Sequence, residues 1–142
     1  VVTDEPIVID TNILFSVLLS ERSRIAMLVL DSPARFLICE TALVEIFRHK
    51  EKLMRTTQAS EGELIRVYHR LLRKLDLLRE DLFSPESWQR AIDLCRDVDP
   101  GDSAHVAASL DVNGLLWTGD LKLKRGLEAK GFDRFYTPRL AT

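Results

Sequence analysis

Ile7-Val8-Ile9-Asp10-Thr11-Asn12 decides the fold, because three consecutive β-branched residues run directly into an aspartate. Apolar residues at every position, rather than every second one, describe a strand buried on both faces. Such strands lie in the middle of parallel sheets. An aspartate ending a buried strand is costly without partners, so Asp10 is more than a surface charge. Asn12 is then placed to cap a helix running from Ile13 to about Ser20.

Two similar runs lie further along, Phe36-Leu37-Ile38-Cys39 and Leu115-Leu116-Trp117-Thr118. Between these three strands the apolar residues recur at helical spacing. One stretch covers Ile25 to Leu30, and another starts at Thr41 and carries Leu43, Val44, Ile46, Phe47 and Leu53. Ser60 with Glu63 forms a capping box opening a long amphipathic helix. Its apolar stripe is Leu64, Ile65, Tyr68, Leu71, Leu72, Leu75 and Leu78. Ser84-Pro85-Glu86 starts a further helix, with proline at the first helical position. Asp99-Pro100-Gly101 breaks the chain, and Asp102 is placed to cap a helix through Leu110. A last helix covers Leu121 to Lys130, stopped by Gly131, and Phe135 to Thr137 reads as an edge strand. Short apolar strands alternating with helices imply an α/β fold, a parallel sheet covered by helices on both faces. No repeat, low-complexity segment or linker interrupts residues 1–142, so one domain is expected.

Composition sets bounds without naming a function. With 142 residues, 46% hydrophobic and 30% charged, the chain has enough apolar surface to fold. A net charge of −2 means that any contact with nucleic acid comes from a local patch. Cys39 and Cys95 share no metal-like spacing with His49, His69 or His105, and are read as buried free thiols of a reducing compartment. The apolar run Ile13 to Leu19 is too short to span a bilayer, and the expected location is cytoplasmic.

The carboxylates carry the chemistry. Asp10 follows the first strand, Asp120 follows the Leu115–Thr118 strand, and Asp102 starts the helix just before that strand. Ligands of open parallel sheets bind outside the carboxyl ends of the strands, so the two strand-end aspartates point toward one crevice and Asp102, at a helix start, can face it. Glu45 lies early in its helix among Val44, Ile46 and Phe47, aimed at solvent or at a polar pocket. At about 5 Å and an effective dielectric of about 20, two carboxylates repel by about 3 kcal/mol. Several of them stay ionised together only with a counter-charge, and an oxygen-only set suits Mg²⁺ or Mn²⁺. No cysteine or histidine accompanies the cluster, which argues against zinc.

Taken in order, Ile9-Asp10-Thr11-Asn12, Leu43-Val44-Glu45, the run from Asp99 to Ala108, and Leu116-Trp117-Thr118-Gly119-Asp120 resemble the four acidic motifs of PIN domains. Lys122, Leu123, Gly126 and Leu127 extend the last motif, and the resemblance covers nearly the whole chain. It implies a PIN-like three-layer α/β/α domain with a short central parallel sheet. It implies a Mg²⁺- or Mn²⁺-dependent ribonuclease, with many short members being VapC-type toxins of toxin–antitoxin pairs. Carried over by position, Asp10 and Asp102 would be direct metal ligands. Asp120 and Glu45 would complete the pocket through water or a second metal. Thr118 would orient Asp120 or a metal-bound water, and Thr11 and Asn12 would brace the first motif. For the third motif Asp102 is preferred, since Ser103 and Ala104 follow it directly; Asp99 is an auxiliary acid or a turn residue. The partners expected are an RNA substrate, a cognate antitoxin whose basic residue enters the acidic pocket, and a second copy of the chain. The leucine-rich helices from Ile25 to Leu78 offer the apolar surface for such contacts.

Other residues carry weaker signals. His49 and His105 read first as surface or packing residues and only second as general bases. Arg48, Lys50, Lys52 and Arg55, and also Lys122, Lys124 and Arg125, form basic runs beside acidic motifs, either solvated helix faces or phosphate contacts. Arg66, Arg70, Arg73 and Lys74 form a third basic stretch on the long helix. A haloacid-dehalogenase-type phosphatase would need a second aspartate where Asn12 stands. A receiver domain does not suit the long helical stretch between Cys39 and Asp99. The alternative from another class is a non-catalytic RNA-binding or protein-interaction module on the same fold.

Overall fold

The computed structural model describes residues 4–138. The first strand, β1 (Ile7–Ile9), is fully buried and lies inside a four-stranded parallel sheet. β2 (Phe36–Cys39) pairs with one side of β1, in the register Ile7↔Phe36 and Val8↔Leu37. β4 (Leu115–Trp117) pairs with the other side, Ile9 opposite Trp117. β3 (Leu75–Leu78) pairs with the outer side of β2, giving the order β3-β2-β1-β4. An isolated parallel bridge joins Leu116 to Phe135, where an edge strand was expected.

Alternation along the strands divides the core in two. Ile7, Ile9, Phe36, Ile38 and Trp117 face one apolar cluster, and Val8, Leu37, Cys39 and Leu116 face the other. Five helices supply the first cluster: α1 (Thr11–Leu19), α2 (Arg24–Leu30), α3 (Glu40–Arg48), α4 (Lys50–Thr56) and α5 (Glu61–Lys74). α6 (Pro85–Cys95), α7 (Ser103–Asp111) and α8 (Leu121–Ala129) supply the second. The result is the expected three-layer α/β/α arrangement around a short parallel sheet. Cys39 and Cys95 are both free and buried.

Three local expectations are corrected. The long amphipathic helix stops at Lys74, and Leu75 to Leu78 form β3 instead of its last turn. The helix beginning near Thr41 is two helices, broken at His49, whose backbone ends α3 and starts α4. The cap of α1 is Asp10, not Asn12. Gly131 stops α8 as expected, at a φ of +92° that favours glycine.

Candidate metal centre

Asp10 is fixed from both directions along the chain. Its backbone N–H donates to Trp117 O at 3.2 Å, extending the β1–β4 ladder by one residue. Its carboxylate accepts from Ile13 N at 3.0 Å, capping α1. Only 3% of Asp10 is exposed, and this burial pushes its carboxyl above the usual range. The Thr118 hydroxyl and the N–H groups of Ile13 and Asn12 draw it back, while the charge of Asp120 pushes it up.

β4 delivers the second acid. Thr118 Oγ1 accepts from Asp120 N at 3.0 Å, which locks the turn leaving the strand. Asp120 caps α8 by accepting from Leu123 N at 3.1 Å. The Thr118 hydroxyl therefore bonds the Asp10 carboxylate and the Asp120 backbone N–H.

The third segment is a single 3₁₀ turn, Pro100–Asp102, leading into α7. Asp99 closes this turn by accepting from Gly101 N at 3.0 Å. Asp102 makes no side-chain capping bond to α7, so its expected capping role is absent. Its carboxyl is pushed up to about 7, first by burial and then by the adjoining Asp99 charge. A hydrogen bond with Asp99, and the charges of Asp10 and Asp120, add to that shift. Asp99, Asp102 and Asp120 each present an oxygen, and these atoms lie within 4.8 Å of one another.

Of the five acids singled out from the sequence, Asp99, Asp102 and Asp120 converge, and Asp10 adjoins them electrostatically. Asp99, read as an auxiliary acid or a turn residue, closes the turn and lies in this cluster. Glu45 stands outside the cluster, and burial raises its carboxyl. The Thr11 hydroxyl bonds the Glu45 side chain and lowers it, while the Asp10 charge raises it.

His105, read first as a surface or packing residue, lies in the packed interior. It is 1% exposed, and its Nε2 shares a 3.3 Å hydrogen bond with Thr11 Oγ1. Burial lowers its pKa to about 4, which keeps the ring neutral. Thr11 therefore links Glu45 to the interior of α7 through one hydroxyl. The signal in the sequence was a histidine among Ala104, Val106, Ala107 and Ala108, on a helix with no other large polar side chain facing the sheet.

The chemistry of this donor set fits a hard divalent cation. All the converging atoms are carboxylate oxygens, and an octahedral ion at about 2.1 Å holds its oxygens about 3 to 4 Å apart. Among the described residues, no lysine or arginine forms a salt bridge with Asp10, Glu45, Asp99, Asp102 or Asp120. The four aspartates therefore have no ion-paired cation, while the charges of His49 and Arg48 partly offset that of Glu45; a proton on Asp102 or a bound cation relieves the cluster.

The family model for the PIN domain matches residues 8–138. No curated protein matches. Among solved structures, the chain is similar to VapBC2 from Rickettsia felis, determined bound to a DNA fragment from their promoter. The two share 13% identity with a TM-score of 0.64, over 84% of this chain and 92% of that one. At this identity the likeness is one of fold.

Proposed function

The chain belongs to the PIN-domain family, and from that premise we propose that it is a Mg²⁺- or Mn²⁺-dependent ribonuclease. The observation that carries the reading is the convergence of Asp99, Asp102 and Asp120 beside buried Asp10, without a cation of the chain's own. Asp10, Asp102 and Asp120 would hold the ion, with Asp99 as an auxiliary acid and Glu45 completing the pocket. A bound ion supplies Lewis-acid polarisation of a phosphate and a more acidic water. The chain's contribution is placement: Thr118 ties the two strand-end acids together, and Thr11 holds Glu45 against the α7 interior. An RNA substrate goes with a cytoplasmic location; no helix of the described residues is long and apolar enough to cross a membrane.

We read the chain further as the toxin of a toxin–antitoxin pair, homodimeric, and held by a small antitoxin with an arginine in the acidic pocket. Arginine suits that place because it can bond a carboxylate through two parallel N–H groups. An apolar groove lined by Leu18, Leu43, Ile46, Leu53 and Leu64 supports contact with another chain. Phe47, 80% exposed, and Ile65, 58% exposed, also line it.

The deciding experiment is cleavage of single-stranded RNA by the purified protein, in Mg²⁺ or Mn²⁺ and in excess EDTA. Cleavage that needs the ion and is lost in Asp102→Asn is expected. Cleavage undiminished by the chelator would sink the proposal.

A further inference from the structure

A second recess opens beside Glu45. It is lined by Asn12, Phe15, Leu19, Glu45, His49, Lys52, Leu53 and Thr56 and has a volume of about 310 Å³. Its floor and walls are apolar, from Phe15, Leu19 and Leu53. Its rim is polar, from the Asn12 amide, the His49 imidazole, the Thr56 hydroxyl and the Lys52 ammonium. The break between α3 and α4 at His49 places its ring edge-on to Phe15, with 6.2 Å between centroids. Thr56 donates its hydroxyl hydrogen to Lys52 O at 2.7 Å, leaving the oxygen free to accept.

Glu45 is a wall of this recess and also borders Asp10 electrostatically, so the recess continues the acidic crevice. A polymer whose phosphate lies at the crevice can send an adjoining group into this recess. We propose that the recess holds one unpaired nucleobase of the RNA, next to the scissile phosphate, against the Phe15 and His49 rings. The inference rests on the ribonuclease reading of the crevice. Single-stranded RNA is recognised by splaying bases onto aromatic or histidine rings and bonding their edges. The apolar walls take the flat faces of the base, and Asn12 and Thr56 meet its edge. Lys52, on the rim, meets the flanking phosphate. A base already paired cannot enter, because its edge and both faces are occupied.

The test uses a short single-stranded RNA with one abasic ribose placed at each position around its mapped cleavage site. The wild-type protein should lose about tenfold in kcat/KM at one position beside the scissile bond, the scale of a lost stacking contact. The Phe15→Leu/His49→Ala variant should lose less than about twofold from the same abasic change. Leucine preserves the apolar volume at position 15, and His49→Ala alone, at an exposed position, should show part of the effect. Uniform sensitivity at all positions, or equal sensitivity in variant and wild type, overturns the inference.

A second readout does not depend on cleavage. RNA octamers carrying 2-aminopurine, mixed with the protein in Ca²⁺, should lose fluorescence on stacking with the wild type and not with the variant. If no RNA is cleaved but this difference holds, the nuclease reading fails and the base site stands. If RNA is cleaved but quenching is absent, or equal in both proteins, the base site fails alone.

Discussion

Asp102 keeps its proton to about pH 7, whereas a free aspartate loses it near 3.8. Over that interval the folded chain binds more protons than the unfolded one, so this group's stabilisation is complete in acid and fades as pH rises. Asp10 and Glu45 are raised as well and act in the same sense. His105 acts oppositely: its pKa falls from 6.5 to about 4, so its contribution is present above 6.5 and lost on acidification. In EDTA, Asp102 and His105 nearly cancel between about pH 4.5 and 6.5, and the raised carboxyls of Asp10 and Glu45 tip the melting temperature into a shallow fall with rising pH. Saturating Mg²⁺ holds the acids ionised and leaves His105 to set the slope, so the temperature should rise over the same range. Melts of one sign under both conditions would contradict a crowded acidic site. The same geometry separates two neighbouring acids in activity. Asp102→Asn is expected to lower RNA cleavage by about a hundredfold or more, and Asp99→Asn by about tenfold. Because Asp102 makes no capping bond, its loss cannot be ascribed to a weakened α7. Rate measurements on both variants that reversed this order would assign the third motif to Asp99.

At the scale of elements, the convergence of the acids depends on how closely α8 approaches the segment before Asp99. A Cβ added at Gly126 would lie 2.8 Å from both methyl carbons of Val98. Gly126→Ala should gain about 1 kcal/mol of helix propensity, yet the clash moves α8, and Asp120 with it, away from the Asp99 turn. We expect weaker Mg²⁺ binding by calorimetry, with affinity recovered in the Gly126→Ala/Val98→Ala pair. An affinity unchanged in the single variant would show that α8 does not set the site. Elements with a strong period were legible from the sequence: β1, β2, β4 and α6 stand where their apolar runs placed them. β3 was not, because Leu75 and Leu78 continue the spacing of Leu71 and Leu72, and only its pairing with β2 makes it a strand. Caps were legible as residue types but not as positions. Asp10 and Asn12 are both good caps, and the backbone bond from Asp10 to Trp117 decides between them. At the third motif the ambiguity was real, since Asp99 closes its turn and also reaches the cluster. His105 was hidden for a related reason: burial, not spacing, is what makes it unusual.

For the molecule as a whole, the helices over one face cover the sheet but leave the apolar groove bordered by Phe47 and Ile65. A homodimer or antitoxin contact would cover it, and Phe47→Asp is expected to shift a dimeric mass by light scattering toward the monomer. A wild-type protein monomeric at tens of micromolar would remove the dimer from the proposal. The sheet order has a further consequence, for kinetics. β1 lies between β2, formed from the nearby chain, and β4, which arrives from the opposite end of the sequence. Closing so long a loop is slow, and here it is also the event that brings Asp120 beside Asp10. The mutual repulsion of the acids thus opposes the late docking of β4, not the early formation of helices. A divalent cation present during refolding should accelerate the slow phase, and Asp102→Asn should refold faster than wild type in EDTA. The electrostatic penalty of a vacant site would then be seen first in how long the newly made chain stays open.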